Sequence, residues 1–460
     1  MRKLFLAAAL AALQTGVATA ASPAIKPIFD VRLRTEAFDT PARTATADRR
    51  YSFTVGRVRA GLDATWTNWK LHGMVQAAGM TQVSRGAAFG SGQSYLAANG
   101  GDTSRTVIGI SELSAAYTNG GFKAVLGRQP FADGNEAPTG IAHLDAVKKR
   151  RLSDRLVGNF EWPNVARRFD GASLSYGKGS AVVSGFALRP LDGAFDYEDA
   201  YEELDGVSVY GASLTGKYNT WVPASEVRAF AVQYDDTRRI ARRQTGGDLK
   251  ITTLGASILH GGENWDVLAW GALQSGDWGT ADQDAWAYIV DVGRRFPAVA
   301  GKPTVHLAAE QSSGDDRPGG DHGTFFNVLP TNHKFYGSMD YFAWSNLRDV
   351  YLEALGGSEK LKVRFALHDF SLTQTRDAWY GGSGAFEDTS LGYAARLPVY
   401  GRFPSKDLGQ EADLEFTYAL PQGLQVGVGG GYFLGGDAAK AFLPLEEDGS
   451  WAYVELSWKR

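Results

Sequence analysis

Arg57-Val58-Arg59-Ala60-Gly61-Leu62-Asp63-Ala64-Thr65-Trp66 alternates from end to end. Val58, Ala60, Leu62, Ala64 and Trp66 share one face, while Arg57, Arg59, Asp63 and Thr65 share the other. A period of two is that of a strand, whose successive side chains point to opposite sides of its sheet. One face is suited to an apolar medium and the other to water. The pattern repeats outward from this stretch. In Phe29 to Ala37 the odd positions are apolar or small, and Asp30, Arg32, Arg34 and Glu36 take the even ones. It returns at Leu361, Val363, Phe365 and Leu367 against Lys362, Arg364 and His368. It returns again at Leu414, Phe416, Tyr418 and Leu420 against Asp413, Glu415 and Thr417, and in the final Ala452, Val454, Leu456 and Trp458.

A water-soluble sandwich also alternates, so the connections decide. Short links stand at Thr67-Asn68, Asn119-Gly120, Gly177-Lys178-Gly179, Gly261-Gly262-Glu263, Gly356-Gly357-Ser358 and Pro421-Gln422-Gly423. Two links of about nine residues, near 217–225 and 294–302, fall where short ones belong. Long polar segments lie at 38–54, 81–104, 129–167, 189–206, 235–248, 313–345, 372–408 and 434–448, with a modest one at 275–283. Short and long mostly take turns. The spacing predicts 18 strands, starting near residues 28, 55, 69, 106, 121, 168, 180, 207, 226, 249, 263, 284, 303, 346, 360, 409, 422 and 449. The expected fold is all-β: a transmembrane antiparallel up-and-down β-barrel with short periplasmic turns and long extracellular loops. Closure leaves no unpaired strand edge in lipid. A barrel of this size is expected to enclose water rather than a packed core. Trp66, Trp69, Trp265, Trp270, Trp451 and Trp458 sit at segment ends, where interfacial girdles are expected.

The chain has 460 residues, 44% hydrophobic and 21% charged, with a net charge of -4 and no Cys. Thiolate metal sites, Cys nucleophiles and disulfides are therefore excluded, as is a globally basic nucleic-acid binder. Residues 1–20 read as a secretory signal. Arg2 and Lys3 open it, Leu4 to Leu13 are apolar, and Ala18-Thr19-Ala20 is the cleavage site, leaving 21–460 as the barrel. Strand-like alternation starts at about Phe29, so no globular plug fits ahead of it. Arg is in excess, with 31 against 16 Lys, which suggests a need for fixed, planar, always-charged donors.

Three stretches carry a resemblance. Gly127-Arg128-Gln129 is followed by Arg155-Leu156-Val157-Gly158 and by Trp162-Pro163-Asn164-Val165-Ala166-Arg167-Arg168-Phe169-Asp170-Gly171. Ser313-Gly314-Asp315-Asp316 precedes Leu329-Pro330-Thr331-Asn332-His333-Lys334-Phe335-Tyr336-Gly337-Ser338-Met339-Asp340, then Asn346-Leu347-Arg348-Asp349 and His368-Asp369-Phe370. Leu408 to Leu414 and Gly435-Gly436 close the series. In this order they resemble the signatures of the alginate export family of outer-membrane proteins. The resemblance implies an 18-stranded barrel passing a polyanionic polysaccharide through an arginine-rich lumen. It also admits general or solute-specific uptake porins.

Alternation places Arg32, Arg34, Arg57, Arg59 and Arg364 inward, and the family motif adds Arg128, Arg155, Arg168 and Asp170. Rings of Arg in a pore favour anions. The competing reading is a ladder of Arg and acid pairs bracing the wall, with Arg167, Arg168 and Asp170 clasping the 129–167 loop inward. Several of these arginines are expected without a partner at a constriction. An enzyme would need a local Ser/His/acid set, for which His306, Glu310 and Ser312 are the best candidates; the expectation is a non-enzyme. The seven His contain no HExxH or close pair suited to zinc, so no metal site is expected among them. Asp315 and Asp316, with Asp321, form a weak loop candidate for Ca²⁺ without EF-hand spacing. No cofactor is expected. The expected partners are an anionic saccharide or another small hydrophilic solute, outer-membrane lipid and the barrel-assembly machinery, with no nucleic acid and one barrel per chain as a monomer.

Overall fold

The computed structural model describes residues 22–317, 319–382 and 384–460; the expected signal segment lies outside them. Strands β1 (Ala24–Asp39), β2 (Arg50–Thr65), β3 (Trp69–Thr81), β4 (Arg105–Asn119), β5 (Phe122–Gln129) and β6 (Phe169–Lys178) open the wall. They are followed by β7 (Ala181–Pro190), β8 (Val207–Gly216), β9 (Ser225–Asp236), β10 (Leu249–Gly261), β11 (Trp265–Trp278) and β12 (Ala281–Arg295). β13 (Thr304–Ser312), β14 (Leu347–Gly357), β15 (Leu361–Leu372), β18 (Asp407–Ala419), β19 (Leu424–Gly435) and β20 (Gly449–Lys459) complete it. The short pair β16 (Trp379–Gly382) and β17 (Tyr393–Arg396) forms a separate hairpin inside the loop after β15. The other 18 strands make one antiparallel sheet, closed by β1 pairing with both β2 and β20. Among the described residues no helix is long and apolar enough to cross a membrane.

The alternation has the expected consequence. Val58 and Leu62 are 51% and 55% exposed on the outer face, whereas Arg57 and Arg59 on the inner face are each 5% exposed. An isolated soluble sheet would bury the first pair and solvate the second. Apolar outward positions continue around the barrel in Leu33, Ile108, Leu254, Leu273, Val292, Leu307, Leu414 and Val454. At the short-turn end, Trp69 packs on Tyr117 and Phe29 on Trp458, and Trp265 is exposed there, as a girdle requires.

Three expectations are corrected. Trp270 and Trp451 are buried inside the barrel: Trp270 packs on Phe230 and Trp344, and the Trp451 indole donates to Glu36. Both lie at inward positions, and parity outranks nearness to a strand end. The 275–283 loop is only the two-residue link between β11 and β12, with Gly279 at φ 66. The loop half of the lumen is not water-filled. There the inner face of β2 reads Tyr51, Phe53 and Val55 before Arg57 and Arg59, and all three are buried. Loops 82–104, 130–168, 191–206, 313–346 and 373–406 fold inward onto such positions. They bury Tyr95, Leu144, Leu156, Phe195, Phe325, Trp344 and Trp379 in one apolar cluster. The hydrophobic effect thus closes the loop end around a core that the wall alone is too wide to build.

Candidate functional site

The segment 130–168, between β5 and β6, crosses the lumen as a strap. It contains the helix Ala142–Val147, which runs on as a wider turn at Lys148–Leu152. Leu144, Val147, Leu152, Leu156, Val157 and Phe160 pin it through the apolar cluster. Its charges are complementary to the two walls it touches. On the β9–β15 side the wall is mainly acidic and the strap mainly basic, with the reverse pair Arg228 of β9 and Glu136 of the strap at 2.7 Å. Lys148 meets Glu226 at 2.7 Å, Arg151 meets Asp291 at 3.1 Å, and Arg155 meets Glu310. Glu353 on β14 receives Arg150, Arg151 and, from β15, Arg364 at 2.6 Å.

On the β1–β4 side the signs reverse. Arg32 donates to Asn164 Oδ1 and to the Glu161 and Trp162 carbonyls at 2.8–2.9 Å. Arg34 donates to Glu36 and the Trp162 carbonyl, and its guanidinium lies 3.6 Å over the Trp162 ring. The Glu161 carboxylate is held by Arg168 at 2.6 Å, Arg57 at 3.0 Å and Arg59 at 3.2 Å. Arg57 also meets Asp30, Arg168 meets Glu112, and Arg59 donates to Gln76. Five guanidiniums, Arg32, Arg34, Arg57, Arg59 and Arg168, are thereby matched by Asp30, Glu36, Glu112, Glu161 and Glu455.

Glu161 differs from the other four acids in belonging to the strap and in its access to lumen water. Its side chain is 43% exposed, against 21% for Glu455 and 1% for Glu36. Depth in the barrel works against its ionisation, but Arg168, Arg59 and Arg57 outweigh this and hold the carboxyl well below its ordinary range. Arg57 Nε and Arg59 Nη2 have no protein acceptor.

The nine sequence-predicted residues therefore divide. Arg32, Arg34, Arg57, Arg59 and Arg168 come together on one side. Arg155 and Arg364 lie on the other, where Arg364 also reaches Glu415 at 2.6 Å. Arg128 and Asp170 join neither group. Arg128 stands opposite Leu113 on one side and Asp170 on the other, and cross-strand partners share a face. Leu113 is 53% exposed on the outer surface, so the Arg128–Asp170 pair, at 2.9 Å, faces outward rather than into the lumen. The motif gave these two residues no parity. No arginine of the nine lacks a partner, contrary to expectation. Sequence reasoning missed Glu161, Glu353 and the strap's basic run Lys148-Lys149-Arg150-Arg151. That run was visible as a charge cluster, but its partners come from strands far away in the chain.

His306 bonds Asp291, Glu310 is taken by Arg155, and Ser312 Oγ donates to the Leu347 carbonyl. Asp315 accepts the Arg317 amide and Asp316 the Arg317 guanidinium. Neither joins a group of three metal-capable side chains among the described residues.

A closed 18-stranded barrel with an apolar outer belt, a charged inner wall and loops folded into its mouth is an outer-membrane channel for hydrophilic solutes. Residues 28–451 match the Alginate export family, and the chain belongs to it. Solved structures of similar fold include Pseudomonas aeruginosa OpdK with vanillate. It is 10% identical with a TM-score of 0.54, over 95% of this chain and 98% of that one. Pseudomonas aeruginosa OccK9 (OpdG) is 12% identical with a TM-score of 0.56, over 94% and 98%. Acinetobacter baumannii OccAB3 is 12% identical with a TM-score of 0.56, over 95% and 100%. At such identities the likeness is one of fold. No curated protein sequence matches the chain.

Proposed function

We propose that the channel passes carboxylate-bearing saccharides, uronate oligomers above all, along the arginine wall of β1 and β2. One observation carries this reading: the wall already holds a carboxylate. Glu161 is gripped by three guanidiniums yet stays open to lumen water, so it stands where a uronate carboxylate would bind. A solute carboxylate that displaces it keeps the charge of the site unchanged, and Arg57 Nε and Arg59 Nη2, buried without an acceptor, are donors it reaches only on taking the place of Glu161. Passage then proceeds by exchange, without any step that strands a buried charge. Because the loops pack an apolar core across the mouth, the reading favours oligomers and other small carboxylates over a continuous polymer. OpdK was solved with vanillate, itself a carboxylate, which supports an uptake porin for small organic acids as the second reading. Each member of the His306, Glu310 and Ser312 set is held by another residue, so the reading assigns no catalysis.

Ionic current through the refolded protein in planar bilayers tests this. Uronate di- and trisaccharides should reduce the current at about one-tenth the concentration needed for neutral oligosaccharides of equal length, as one charge-assisted hydrogen bond is worth about 1.5 kcal/mol. Equal block by charged and neutral sugars contradicts the proposal.

A further inference from the structure

The wall opposite the arginines holds a second constellation, on β11, β12 and β13. Asp266, Asp291 and His306 are all buried, and one ligand atom from each lies within 4.8 Å of the others. The register explains the convergence. Asp266 stands opposite Gly293, and Gly293 opposite His306, so the two side chains flank a position without a side chain. A Cβ at Gly293 would overlap both of them. Asp291 sits two residues along the same strand and face.

The carboxylates are oriented from outside the group. His143, on the strap helix, bonds Asp266 Oδ2 at 2.7 Å. Arg151, also on the strap, meets Asp291 Oδ2 at 3.1 Å, and the Tyr351 hydroxyl lies 3.5 Å from the same oxygen. Both Oδ1 atoms are left facing His306 Nδ1, which serves only one of them. It is 2.8 Å from Asp291 Oδ1 and 3.9 Å from Asp266 Oδ1, and the latter is buried with no hydrogen-bond partner. A proton on Nδ1 leaves one acceptor orphaned, whereas a metal ion satisfies all three atoms at once. The charge fits too. Two buried carboxylates face one guanidinium, and that guanidinium is shared with Glu353.

We propose that Asp266, Asp291 and His306 bind one divalent first-row transition metal, with Zn²⁺ the natural occupant. An imidazole nitrogen with two carboxylate oxygens suits Zn²⁺ and its neighbours better than Ca²⁺ or Mg²⁺, which prefer oxygen alone. His143 and Arg151 are then outer partners that fix the ligating carboxylates. Both belong to the strap, so the ion ties the seat of the strap to the wall.

Chelator-treated, refolded full-length barrel titrated with Co²⁺ and then Zn²⁺ tests the site. The expected result is one Co²⁺ per chain with the intense visible absorption of a four- or five-coordinate nitrogen-containing site, displaced by one Zn²⁺. Asp266→Asn and His306→Gln should each abolish it. His143→Gln leaves all three ligands and all wall strands intact, and should weaken Zn²⁺ binding about tenfold. Uptake of neither ion by the folded wild-type barrel overturns the proposal. So does a weak, octahedral, all-oxygen Co²⁺ spectrum, or Zn²⁺ binding by folded His306→Gln as tight as that of the wild type. These readouts do not depend on solute passage, so the metal site and the carboxylate reading stand or fall separately.

Discussion

Glu353→Gln is expected to release the strap from the acidic wall. Its carboxylate receives Arg150, Arg151 and Arg364, and its side chain is 1% exposed. Glutamine keeps the volume but leaves three guanidiniums facing one another with a neutral amide. Removing one partner of a buried ion pair costs about 3–5 kcal/mol. The lower end applies here, about 3 kcal/mol, because Arg150 is 25% exposed and Arg364 keeps Glu415. The barrel wall, held by its own strand ladder, should survive. The variant should show larger and noisier single-channel current than the wild type, and its strap should be cut by protease where the wild-type strap is protected. Quiet wild-type conductance with an uncut strap would mean that the apolar cluster alone seats it.

Arg57→Glu combined with Arg59→Glu should reverse the ion preference. The change adds four negative charges' worth of difference to one short stretch of β2 and removes two of the three grips on Glu161. Uronate block should weaken about 100-fold, from about 1.5 kcal/mol for each charge-assisted hydrogen bond lost. Reversal potential in a salt gradient should move to the cation side. Arg128→Glu is the matched control. It carries half that change of charge, two in place of four, on the outer face, so the reversal potential should stay where it is. A shift as large for Arg128→Glu as for the β2 pair would mean that the lumen does not set selectivity.

The barrel was legible because its code is local. Each wall strand needs only alternation and a turn, and Arg57 to Trp66 displays both. What lies inside was less so, for two reasons. First, the inner face of a strand changes character along its length. Asp30, Arg32, Arg34 and Glu36 give way to Phe38, and Arg59 and Arg57 to Val55, Phe53 and Tyr51. Read in order, these inward positions already announce an apolar filling at the loop end, beyond the last of the charges. Second, the partners of the arginines come from loops, at separations no periodic pattern encodes. Glu161 lies 104 residues from Arg57, and Arg155 lies 155 from Glu310. The outward turn of Arg128 follows the alternation of β5, whose Phe122 and Leu126 are exposed on the same face, and motif spacing does not contain it. Asp266, Asp291 and His306 likewise belong to three strands and form no motif in the chain.

Glu161→Gln tests the arginine wall as a carboxylate site most directly. The substitution keeps the shape of the strap and removes the most exposed carboxylate among the five acids. The wall then carries one uncompensated positive charge and a vacant acceptor position. Reversal potential in a salt gradient should shift further toward anions than in the wild type, and uronate should block at lower concentration. An unchanged reversal potential, or weaker uronate block, would contradict the account and leave the arginines as braces of the wall.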